Sequence, residues 1–100
     1  MDTPEQCRDM SDVRAGVDAL DEHIVSLLAR RAKYMEAAAK IKGKKELIRD
    51  EDRKAAVIAR AQKQAESLNA PSEMVTAVYE TLVEESIAYE MRVYDALPRQ

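Results

Sequence analysis

Apolar residues in the first part of the chain recur at a period that suits a helix. Val13, Val17, Leu20, Ile24, Leu27, Leu28, Met35 and Ala38 share one stripe at a turn of about 100° per residue, running to about Lys42. Ser11 or Asp12 is placed to cap its start. Gly16 is tolerated inside at a cost of about 1 kcal/mol, and nothing breaks the pattern before Gly43. Some thirty residues in a helix make a rod of roughly 45 Å. A compact domain of this size is narrower, at about twice a 13 Å radius of gyration.

After a short loop, "GKKELI", a second helix is predicted over "RDEDRKAAVIARAQKQAESL". Asp50 or Asp52 lies near its start, where the helix dipole favours an anion. Asn69 ends it, and "APSEM" opens a third helix with Pro71 in the first turn. In that third helix Val75, Tyr79, Leu82, Ser86, Tyr89 and Val93 fall on one arc. Glu80 and Glu84 fall on the far, solvated side and Glu85 at the border, but Glu90 lies inside the apolar arc. The pattern predicts a single all-α domain over residues 1–100, with helices in the order long, short, long. A rod that overhangs its own domain needs a surface to lie on, and a second copy of the chain is the simplest one. The expected architecture is an intertwined helical homodimer.

Composition narrows the function. Of the 100 residues 46% are hydrophobic, with Phe and Trp absent and only two glycines, which suits long helices. The net charge of −3 is spread in both signs, and "AKIKGKK" is the one local excess of cations. Nothing resembles a nucleic-acid-binding block with interleaved aromatics, a membrane span or a signal peptide. Cys7 is the only cysteine, which excludes an intrachain disulfide and suggests no metal cluster. A cytoplasmic protein is expected. No Ser/His/Asp or Cys/His set, glycine-rich phosphate loop or HExxH motif is present, so nucleophilic and metal-assisted catalysis lack visible equipment.

Cations stand where leucines are expected. Arg31 sits near the centre of the first stripe, Lys42 at its end and Arg14 toward its edge near the start. A buried cation without a partner is costly, so an anion must meet them. Arg31 and Lys42 are separated by about 16 Å along the helix, close enough for both side chains to lean toward a small ligand between them. Arg14 is about 25 Å from Arg31, but an antiparallel partner would bring its own Arg14 beside Arg31. Two readings stand: a dianionic ligand held by cations from two chains, or an internal ion network of Arg31, Lys42 and Glu90 that fixes helix register. Ser86, likewise, either faces a ligand or hydrogen-bonds back to its own helix.

These residues resemble a known family. "DVRAGVDALDEHIVSLLARRAKYMEAAAKIK" is similar to the first helix of the all-helical chorismate mutases, with Arg14, Arg31 and Lys42 at the family's cationic positions. "RDEDR" resembles the start of the family's second helix, which puts Arg53 on its binding arginine and Asp50 near the substrate hydroxyl. "ESIAYE" resembles the third-helix segment that carries a Ser and a Gln, here Ser86 and Glu90. "TPEQC", the stretch from Tyr34 to Ala38 and "NAPSE" are similar to the isochorismate-pyruvate lyase branch of the fold. Two departures are visible: the usual Gln is Glu90, as in the fungal branch, and Lys54 replaces a Glu found in many bacterial mutases.

The resemblance implies rearrangement of chorismate to prephenate, which needs no cofactor, nucleophile or general base. It implies that Arg14 of a partner and Arg31 clamp two carboxylates, that Arg53 adds positive charge, and that Lys42 and Glu90 donate hydrogen bonds to the ether oxygen. An ionised Glu90 accepts only, whereas a protonated one donates. Isochorismate-pyruvate lyase, yielding salicylate and pyruvate, is the alternative from the same cations. A non-catalytic helical dimer, as in a regulatory module, is the alternative of another class.

Overall fold

The computed structural model describes residues 3–98. Three helices carry the fold: α1 over Met10–Lys42, α2 over Glu51–Ser67 and α3 over Ser72–Ala96. Short 3₁₀ turns occupy Pro4–Gln6 and Lys45–Leu47. No strand occurs among the described residues, and the fold is all-α in the predicted order. Among those residues no helix is long and apolar enough to cross a membrane.

The helix ends follow from local chemistry. Asp9 caps α1, its Oδ1 accepting the Asp12 N–H at 3.0 Å, while Asp12 Oδ2 accepts from the Arg8 N–H at 3.0 Å. The cap expected at Ser11 or Asp12 is thus corrected by two or three residues: Asp12 is the third helical residue, and its acid accepts from the chain just before the cap. At the other end Gly43 has φ of 71°, a left-handed conformation that glycine adopts without strain. Asp50 caps α2 by accepting from the Arg53 N–H at 2.9 Å. Asn69 ends α2 with φ of 56°. The Ala70 N–H reaches the Ala65 carbonyl at 2.8 Å and the Asn69 N–H the Glu66 carbonyl at 3.1 Å. This is a Schellman closure, with Asn in the position glycine usually takes. Pro71 stands immediately before α3 rather than in its first turn.

The chain divides into two compact units, the first ending at Lys33 and the second beginning at Tyr34. The N-terminal unit holds the 3₁₀ turn and most of α1. Its apolar stripe is exposed: Val13, Val17, Leu20, Ile24, Leu27 and Leu28 each keep more than a third of their surface, from 38% at Val13 to 57% at Leu20 and Leu27.

The C-terminal unit has the core. Ile48, Val83 and Ile87 are buried, with Val57, Ile58, Met91 and Tyr94 packed around them. Each fully buried aliphatic side chain contributes about 1.5–3 kcal/mol. Ala61 and Ala65, one turn apart on α2, are also buried, and α2 packs against α3.

Glu84 keeps the solvent-facing position predicted for it, 42% exposed at its side chain, and is held there by ion pairs. Arg49 grips it with two bonds, Nη1 to Oε2 at 3.0 Å and Nη2 to Oε1 at 2.8 Å, and also meets Glu51 Oε1 at 2.8 Å. Lys54 adds a contact to Glu84 at 2.9 Å and a longer one to Glu80 at 3.5 Å. The Arg49 hydrogen bond, and then that of Lys54, holds the Glu84 carboxyl down at about 2 against an ordinary 4.5. The same bonds raise Arg49 and Lys54. A lowered folded-state value stabilises above the ordinary one, and that contribution is lost as pH falls from about 4.5 toward about 2. Glu84→Gln is therefore expected to melt below the parent at neutral pH, with the gap closing across that acid range. Melting curves at several pH values check this, and added salt narrows the gap because the cluster is solvent-facing.

Candidate functional site

Of the residues singled out in the sequence, Lys42 and Glu90 are brought together. Lys42 is the last residue of α1, where the carbonyl end of the helix favours a cation. Glu90, on α3 one turn before Tyr94, is 4% exposed. It is more deeply buried than any residue of the arc drawn from the sequence, because the buried face of α3 is centred on Val83, Ile87 and Glu90. Lys42 Nζ lies 2.9 Å from Glu90 Oε2, with the lysine 30% and the glutamate 5% exposed at the side chain. The distance makes an ion pair, but the approach angle does not make a hydrogen bond, and that buried oxygen has no hydrogen-bond partner among the described groups. The same ammonium makes a long contact of 3.5 Å to the Ile48 carbonyl.

A second link runs parallel to the first. Tyr89, the neighbour of Glu90, donates its hydroxyl to Glu36 Oε2 at 2.7 Å. That bond to a carboxylate, with burial second, raises the Tyr89 phenol above its ordinary range. The Arg92 guanidinium stacks 5.7 Å from the Tyr89 ring centre. Glu36 and Tyr89 were not singled out in the sequence. An acid on the same helix as Lys42 and a tyrosine beside the anomalous glutamate were the available signals.

The other candidate residues take these places. Arg14 is exposed and Arg31 half-buried, both on α1 in the N-terminal unit. Arg53 is exposed in the first turn of α2, one turn after the Asp50 side chain that caps it. Ser86 donates its hydroxyl to the Leu82 carbonyl at 2.6 Å, the backbone bond allowed for in the sequence. Lys54, at the position where many bacterial mutases carry a Glu, is turned to Glu80 and Glu84. No group of three or more His, Cys, Asp or Glu among the described residues is placed to hold a metal ion.

Chemically, Lys42 and Glu90 offer a cation and an acid at one buried point, both able to face an oxygen that gains negative charge if Glu90 carries a proton.

The sequence model described as chorismate mutase type II matches residues 13–91. An isochorismate pyruvate lyase of Pseudomonas aeruginosa is 29% identical over 94 residues, which cover 94% of this chain and 93% of that protein.

Proposed function

Because the chain belongs to the type II chorismate mutase family, we propose that it is an isomerase that binds chorismate as a dianion and rearranges it to prephenate within one molecule. The pairing of Lys42 with Glu90 carries this reading: a cation at the end of α1 meets, at 2.9 Å, an acid buried on the Val83–Ile87 face of α3. The reaction breaks a C–O bond and makes a C–C bond without a covalent intermediate. Its barrier falls when a flexible substrate is held in the reactive conformer and charge developing on the ether oxygen is stabilised. Lys42 and protonated Glu90 donate to that oxygen. Arg31 and a partner chain's Arg14 hold the carboxylates, Arg53 adds positive potential, and Asp50 and Ser86 serve the substrate's polar groups. No cofactor takes part, and the partner is a second copy of the chain.

A second reading, elimination of pyruvate from isochorismate to leave salicylate, is favoured by the likeness to the Pseudomonas aeruginosa lyase across nearly the whole of both chains. Purified protein given chorismate and isochorismate separately, with prephenate, salicylate and pyruvate quantified, decides between them. Prephenate as the main product supports the mutase, and salicylate with pyruvate supports the lyase. If neither substrate turns over, Lys42 and Glu90 are an internal ion pair of a non-catalytic bundle.

The exchange of Arg14 between copies has its own test. Arg14→Ala and Arg31→Ala are each expected to be nearly inactive as pure proteins. Unfolded and refolded together in equal amounts, half of the dimers are mixed and each mixed dimer holds one intact site, so about a quarter of parent activity returns. No recovery on mixing would place both arginines in the service of their own chain.

A further inference from the structure

The segment that follows Lys42 is a short strap fixed at both ends. At one end Lys42 is paired with Glu90 at 2.9 Å. At the other, Ile48 is 3% exposed and packed with Val83 and Ile87. Between them Gly43 turns the chain at φ of 71°, and Lys45–Leu47 makes one 3₁₀ turn. The middle of the strap is held by the last turns of α3. Tyr94 donates its hydroxyl to the Gly43 carbonyl at 3.2 Å. Lys45 Nζ lies 3.0 Å from both carboxylate oxygens of Asp95.

The two ties differ in kind. The Lys45–Asp95 pair is about half exposed on each side, at 47% and 52%, so water and salt weaken it. Tyr94 is anchored by packing its ring against the Ile48 cluster, and its hydroxyl engages the Gly43–Lys44 peptide, one residue beyond Lys42. Gly43 has no side chain to restrict its backbone, and nothing lies within 4 Å of where a Cβ would stand. The orientation of the Gly43–Lys44 peptide therefore depends on what its carbonyl bonds to, and the strap that it opens carries the Ile48 carbonyl that the Lys42 ammonium contacts at 3.5 Å.

We propose that Tyr94 is a positioning residue for the site: its hydroxyl fixes the Gly43 peptide and so aims the Lys42 ammonium at Glu90, with Asp95 as a weaker second tie through Lys45. The proposal rests on Lys42 acting on substrate, as read above, and it adds to that reading the residue that orients the ammonium.

The test is Tyr94→Phe, which keeps the ring in the core and removes only the hydroxyl. A neutral hydrogen bond of this length predicts a fall in kcat of about threefold, with KM within about twofold because the carboxylate-binding arginines are untouched. Tyr94→Phe combined with Asp95→Asn is expected to lose about tenfold in kcat. Hydrogen exchange at the Gly43–Leu47 amides is expected to accelerate in both variants while the melting temperature stays within a few degrees of the parent. Exchange is read without substrate, so it tests the strap even if neither chorismate nor isochorismate is turned over, and that outcome would count against the assigned reaction alone. Unchanged exchange at these amides overturns the proposal, as does a kcat equal to the parent's in an active enzyme. A loss of activity that tracks a large drop in melting temperature overturns it too, since it would make Tyr94 a packing residue.

Discussion

Lys42→Met is expected to lower kcat on chorismate by about 100- to 1000-fold, the cost of removing one pre-aimed donor from a site where charge develops. The lysine stands 2.9 Å from Glu90 at the end of α1, and methionine fills its volume without its charge. The substitution also leaves Glu90, 5% exposed at its side chain, without its Lys42 partner. Breaking a fully buried pair costs about 3–5 kcal/mol; here Lys42 is 30% exposed, and the loss falls below that range. The melting temperature should therefore drop along with activity, and one variant alone does not separate the two effects. Lys42→Met combined with Glu90→Gln does. The neutral pair removes the stranded acid, so the melting temperature recovers while kcat stays low. A kcat within about fivefold of the parent in the double variant would remove Lys42 from the chemistry and leave it a structural ion-pair partner.

The second large effect is in the pH profile. If Glu90 must carry a proton to donate to the ether oxygen, kcat falls by about tenfold per pH unit once that carboxyl ionises in the enzyme–substrate complex. Glutamine donates at every pH. Glu90→Gln is thus expected to lose part of the parent's activity at acid pH, where the acid is the better donor. It should keep a nearly flat profile and overtake the parent on the alkaline side. The rates of both proteins with saturating chorismate, measured from acid to mildly alkaline pH, check the crossing. A Glu90→Gln profile that slopes as the parent's does would assign the titration to another group and end the case for Glu90 as an acid.

Much of this was legible in the sequence, at the level where local physics decides. A helical period with no breaker gives α1, and Gly43 and Asn69 stop helices for the backbone reason that makes them stop signals. Glu90 was visible as an acid in an apolar arc, and Lys42 as a cation on an apolar stripe. The cap of α1 was misplaced at Ser11 or Asp12, because these residues, like Asp9, carry a short side chain able to accept an N–H. Three-dimensional placement selected Asp9 and set the Asp12 carboxylate to accept from the Arg8 N–H. The partners of Glu84 were out of reach for a different reason. Its partner Arg49 lies 35 residues away in a loop, and no periodicity along α3 encodes a contact of that kind. Glu36 with Tyr89, and Tyr94 with Gly43, are links across the same sort of distance.

The exposed stripe of α1 has a consequence for how such an enzyme would be measured. Val13 to Leu28 face solvent in the single chain; if the proposed second copy covers that stripe, the stability of this unit follows mass action. If the copies exchange Arg14, a lone chain holds an incomplete site. Specific activity would then rise with enzyme concentration and level off once dimers dominate, and dilution would slow the enzyme more steeply than in proportion. The rate law would be second order in protein at the dilute end, before any property of the substrate enters.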